Sequence, residues 1–226
     1  MRMWKRAACA VGLSLLMSQV AQAQAAYPAM APIEQYRSAE EVALARSAAP
    51  PSLSGDADVL VLGAKGYEIA AKGKNGFVCI VQRGWATDFG DAEFWNPKIR
   101  APICFNPASA RSVLPSYLER TKWVLAGDSP AQMIQRTKAA RAAGIIKAPE
   151  AGAMCFMMSK AGYLSDKTHH WQPHLMFFTP VAPPSAWGAN LPGVPVLGGG
   201  GGDLEPVSVF FAPVRLWSDG TPAPAM

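Results

Sequence analysis

The sequence predicts an α+β fold, a mainly antiparallel β-sheet with two to three helices packed on one side. Three observations predict it. Strand-like apolar runs lie at both ends of the chain's body, at 58–83 and 153–213, whereas the stretch 107–144 between them carries helix-start signals. The 20 Gly and 20 Pro among 226 residues argue against an all-helical bundle. Half of the chain is hydrophobic and only 16% is charged, which excludes a wholly disordered polymer.

The first 23 residues read as an export leader. Arg2, Lys5 and Arg6 precede an apolar run from Ala7 to about Met17, and Ala21-Gln22-Ala23 is a small-x-small cleavage pattern. The run is shorter than the roughly 20 residues of a spanning helix. The mature chain is therefore expected to start at Gln24 and to be periplasmic or secreted. Cys9 lies too early to become a lipidated first residue, and no later segment is long and apolar enough to span a membrane.

Residues 24–55 are expected to form a lead-in with one short helix, opened by the capping-box pattern Ser38-Ala39-Glu40-Glu41 and stopped by Pro50-Pro51. A single α+β domain follows over 56–218, and 219–226 is expected to be a disordered tail. Within the domain, Asp58–Leu62 and Tyr67–Lys72 read as strands. Gly73-Lys74-Asn75-Gly76 reads as a hairpin turn into a return strand, Phe77–Arg83. Alternation along that strand sets Phe77, Cys79, Val81 and Arg83 on one face, with Val78, Ile80 and Gln82 on the other.

Residues 84–106, with two Trp, three acids and two Pro, predict a structured loop. Asn106-Pro107 starts a short helix that Pro115 ends or kinks. Ser116–Glu119 and Ser129–Gln132 are further capping boxes, and the last helix is predicted to run to Gly144 with Met133, Ile134, Thr137 and Ala140 inward. Ala153–Ser159, His174–Thr179 and Val207–Pro213 complete the strands. Between the last two, the Pro- and Gly-rich stretch 180–203, with five consecutive glycines at 198–202, predicts a mobile loop.

Removing the leader leaves Cys79, Cys104 and Cys155. An oxidising compartment favours one disulfide and one spare thiol, with three pairings possible. Cys79–Cys104, flanking one aromatic-rich loop, is the preferred one. Cys155, within Met154-Cys155-Phe156-Met157-Met158, reads as a small buried hydrophobe with no basic neighbour to activate it.

All three histidines fall in His169-His170-Trp171-Gln172-Pro173-His174. Pro173 argues against a helix, and an extended chain sets His170 and His174 on one face. These two could hold zinc with a carboxylate from Asp88, Asp91, Glu93 or Asp166, giving metal-assisted hydrolysis. The alternative is structural: His174 as a strand-entry core histidine, His169 and His170 as loop residues. No HExxH supports the metal reading.

A second constellation is Arg83-Gly84-Trp85 with Asp88, Asp91, Glu93 and Trp95. In its functional version Trp85 and Trp95 wall a small-ligand pocket in which Arg83, with His174, holds an anion. In its structural version Arg83 pairs with one of the loop acids. GxSxG, SxxK, CxxCH, GxGxxG and GxxxxGK[ST] are all absent.

Asn75-Gly76-Phe77-Val78-Cys79 with Arg83, then Cys104, then Pro173-His174-Leu175-Met176-Phe177-Phe178 resembles a group of uncharacterised exported bacterial proteins with an NGFxC…R segment and a PHLMF(F/Y) strand. The resemblance covers roughly 58–179 and implies no activity. It implies that Cys79 with Cys104, and Arg83 with His174, belong to a shared framework.

Of the formal charge of +5, three positive charges lie in the leader, leaving +2. That removes the case for a nucleic-acid partner. The functional expectation is an exported binding or envelope-associated module for a small-molecule ligand or envelope component. The His170/His174 hydrolase is the alternative.

Overall fold

The computed structural model describes residues 38–199, 202 and 204–224. The expected leader and the lead-in through residue 37 lie outside the described residues, as do Gly200 and Gly201. The chain enters through α1 (Ser38–Arg46) and α2 (Pro51–Ser54), then forms β1 (Asp58–Gly63), β2 (Gly66–Ala71), β3 (Val78–Gln82) and β4 (Ala101–Phe105). Helices α3 (Pro107–Ser112), α4 (Leu114–Leu125) and α5 (Pro130–Ala142) follow. The chain ends with β5 (Met154–Met157), β6 (His174–Thr179), β7 (Leu197–Gly198) and β8 (Ser208–Pro213).

The eight strands make one sheet in the order β2-β1-β3-β4-β5-β6-β8-β7. Every pairing is antiparallel except β1 with β3. The fold class is thus α+β with a mainly antiparallel sheet, as the sequence predicts.

The expected hairpin between β2 and β3 is not formed. Lys74 and Asn75 donate their backbone N–H groups to Asp56 C=O at 2.9 and 3.3 Å, and the Asn75 amide reaches Leu53 C=O at 2.7 Å. These bonds carry the chain across the end of β1, so β3 pairs with β1 in parallel.

β4 is a strand inside what the sequence reads as loop, because Pro102 argues against a central strand. Its register resolves the conflict. Cys79 faces Cys104 with Cα atoms 4.0 Å apart, the narrow pair of an antiparallel ladder. Two residues on, Val81 faces Pro102 in the same narrow class, so the proline nitrogen points away from β3. On its other side β4 pairs with β5 only at Cys104 and Phe105. The missing N–H therefore removes no ladder bond.

Helices α3 and α4 cover one face, where Ile80, Ile103, Phe105, Cys155, Met176 and Phe178 pack with Val113, Leu114 and Tyr117. Pro115 sits in the first turn of α4 and starts it, and Ser129 and Gln132 form the expected capping box of α5. The expectation of helices on one side does not extend to α1. Its Ala45 and the following Ala48 and Ala49 are buried against Val59, Cys79, Val81 and Cys104 on the opposite face. Small side chains let it sit close, with Ala45 C=O 3.8 Å from Cys104 Sγ. The helix expected in a loose lead-in is therefore part of the core.

Two further expectations change. Within 180–203, Trp187 stacks on Phe210 at 4.6 Å and Asn190 bonds both ways with the Gly198 backbone. The described part of this excursion is tied to the sheet. Residues 219–224, expected to be disordered, fold back on 215–217 through backbone hydrogen bonds.

Candidate functional site

Arg83 and His174 stand at the same end of the sheet, yet the structure does not bring them together. β3 and β6 are three strand spacings apart, about 14 Å. Arg83 continues the Cys79–Val81 alternation onto the α1 face, whereas His174 faces Met157 on the α4 face.

Arg83 is 1% exposed and so is its partner, Glu41 of α1. Its Nη2 lies 3.0 Å from both Glu41 carboxylate oxygens, and its Nη1 donates to Val81 C=O at 2.5 Å. Glu41 also accepts the Leu62 N–H at 3.1 Å, and Tyr67 donates its hydroxyl to Val81 C=O at 2.6 Å. Burial pushes the Tyr67 phenol up to about 12. The pair thus fastens α1 to β1 and β3. The acid expected to cap its own helix reaches the arginine instead, and none of the loop acids does this.

Trp85 is also buried, and its indole N–H donates to Thr121 of α4 at 2.9 Å. Trp95 packs edge-on against Phe94 at 5.0 Å. A Cβ at Gly84 would lie 2.7 Å from Glu93 C=O and 2.8 Å from Asn96 C=O, so the 84–96 loop closes directly on the backbone. The expected pocket of Arg83, Trp85 and Trp95 is thus packed interior.

His174 is 2% exposed. Its Nδ1 lies 2.7 Å from Gln172 C=O, an acceptor only, so Nδ1 carries the proton and Nε2 is the lone-pair nitrogen. Burial lowers its pKa, opposed in part by that bond, and keeps the ring neutral. Trp171 packs over it at 4.6 Å. His174, Trp171, Met157 and Ser159 border a cavity of about 10 Å³, room for one water at most.

His170 is exposed and packs against Trp217 at 5.7 Å. His169 takes a left-handed backbone, φ 60°, and sets its ring edge-on to Tyr163. The carboxylates considered for a metal have other tasks. Asp88 and Asp91 accept turn N–H groups, Glu93 takes the Asn96 amide, and Asp166 pairs with Lys98 and Tyr163. Among the described residues, no three His, Cys, Asp or Glu side chains gather where one metal ion would need them.

What the sequence reading misses is the outer side of Trp171. A groove of about 400 Å³ lies there, lined by Thr168, His170, Trp171, Gln172, Trp217 and Pro224. Three separate segments build it, and none of its lining residues carries a fixed charge. Trp171 forms its inner wall, standing between the groove and His174. The histidine cluster was the available signal. Trp217 and Pro224, more than 40 residues away, could be added only by the fold.

Cys79 and Cys104 form the disulfide, and Cys155 is a buried free thiol whose pKa burial pushes well up. Among the described residues no helix is long and apolar enough to cross a membrane. Comparison with protein-family models, curated proteins and solved structures finds no match.

Proposed function

We propose that this chain is an exported, envelope-associated binding module that holds its ligand in the groove of His170, Trp171, Gln172 and Trp217. One observation carries the reading. The groove offers aromatic surface with neutral hydrogen-bonding side chains, the usual make-up of a ligand site. The groups with reactive potential are spent elsewhere: Arg83 on Glu41, two cysteines on each other, and Cys155 in the core. The leader at 1–23 supplies the export part of the reading.

Sedimentation of the mature chain with isolated bacterial envelope fragments tests it. The wild type should pellet with the fragments, and Trp171→Ala, checked for an intact fold, should stay in the supernatant. Equal pelleting of both proteins would overturn the groove as the binding site. Stoichiometric zinc in untagged protein, lost in both His170→Ala and His174→Ala, would instead favour the metal-assisted hydrolase.

A further inference from the structure

The C-terminal hairpin bears on what the groove accepts. After β8 the chain turns at Ser218–Gly220, where Gly220 has φ 80°, and returns antiparallel to itself. Trp217 N–H donates to Thr221 C=O at 2.9 Å, Ala223 N–H donates to Arg215 C=O at 2.8 Å, and Leu216 faces Pro222. Lys160 holds the turn from outside through Asp219 at 2.8 Å. The hairpin delivers Pro224 to the groove beside His170, Trp171 and Trp217.

Taking the groove as the ligand site, we propose that its ligand is an extended, proline-containing peptide segment. The chain's own Thr221-Pro222-Ala223-Pro224 occupies one end of the groove as a tethered competitor. The recognition chemistry is that of aromatic-lined grooves for polyproline II segments. A proline ring is rigid and apolar and lies flat against an indole. The extended backbone makes no internal hydrogen bonds, so its carbonyls remain available. His170, the Gln172 amide and the Thr168 hydroxyl supply donors at the rim. With no fixed charge in the lining, nothing there would neutralise a phosphate or a carboxylate. A neutral glycan shares part of this chemistry, but the residue already seated in the groove is a proline. About 400 Å³ stays open with Pro224 in place, so further residues of a ligand have room.

The test is a titration of the whole mature chain, read by the indole N–H resonances of Trp171 and Trp217. The probes are a capped Ala-Pro-Ala-Pro-Ala-Pro peptide, its all-alanine counterpart and cellohexaose. The proline peptide should shift both indoles and the alanine peptide neither. Pro224→Ala, which keeps the hairpin bonds, should bind the proline peptide about two- to tenfold more tightly, because an occupied groove lowers apparent affinity by its open fraction. Trp171→Ala should lose at least about tenfold, with Trp171→Phe as a milder variant that keeps a ring over His174.

Equal response to the two peptides, or no response in wild type and Pro224→Ala alike, overturns the peptide assignment. A response to cellohexaose alone also overturns it and leaves the groove as the binding site. Unchanged or weakened binding by Pro224→Ala overturns the competitor role. The groove reading itself falls on a different result, envelope pelleting that Trp171→Ala does not alter.

Discussion

The two ends of the chain's candidate machinery are built on opposite terms. Around Arg83, every strong polar group is buried and answered: guanidinium by carboxylate, carboxylate by backbone N–H, Val81 carbonyl by two donors. Around Trp171 the strong groups are few, and the rings of His170 and Trp171 face a groove that the protein fills only partly. The first region joins a helix to a sheet, so any change in it is felt as stability. The second is assembled on loops from three segments, so changes in it should be felt as binding.

The largest effect should come from breaking the sealed region. Glu41→Ala leaves Arg83 charged and buried without its carboxylate, a loss of about 3–5 kcal/mol, measurable by urea denaturation. Replacing the pair with apolar residues of similar volume should cost far less, which separates the charge from the packing. The disulfide comes next. It closes a loop of 25 residues in sequence, and replacing both Cys79 and Cys104 with alanine should cost about 3 kcal/mol in the chain-entropy account.

A third, smaller effect depends on pH. His174 has a folded-state pKa depressed by burial below its ordinary 6.5. As pH falls below 6.5 the unfolded chain takes up a proton that the folded one refuses, so this histidine's contribution to stability declines until the depressed pKa is reached. Above 6.5 it is constant. Denaturation midpoints measured from pH 7.5 down to the carboxylate range should show that decline, and His174→Phe should lack it. Unchanged slopes in the variant would mean that other groups carry the dependence. The smallest effect should be His170→Ala, an exposed ring whose loss should change stability by no more than about 0.5 kcal/mol while weakening envelope pelleting. A large loss of stability there would erase the contrast between the two regions.

The sequence made the sheet's faces legible and left its neighbours hidden. Alternation through Cys79, Val81 and Arg83 set the α1 face correctly, and the cysteine pair followed from the loop it flanks. The topology was less accessible. β4 was masked by Pro102, whose tolerance depends on which side of the strand its nitrogen faces, a property of pairing that composition does not carry. Glu41 looked like a capping residue because Ser38 lies three positions before it. Its real partner is 42 residues downstream, and no local pattern encodes that distance. The histidine cluster marked the right loop, yet its strongest residue, His174, is structural in its contacts. The groove needed Trp217 and Pro224 from a segment that read as strand end and loose tail.

The pleat of the sheet also acts as proofreading for the cysteines. Cys155 faces Phe105 across the β4–β5 ladder, and Cys104 faces Phe156, so the two sulfurs lie on opposite sides of the sheet despite being diagonal neighbours. A mistaken Cys104–Cys155 bridge would require β5 to slip by one residue, which would turn Met154, Phe156 and their neighbours onto the wrong face. Cys79 is shielded from the same error because its own partner stands directly opposite it. Correct strand register and correct oxidation are therefore one event. A chain that has paired its strands has already chosen which thiol stays reduced.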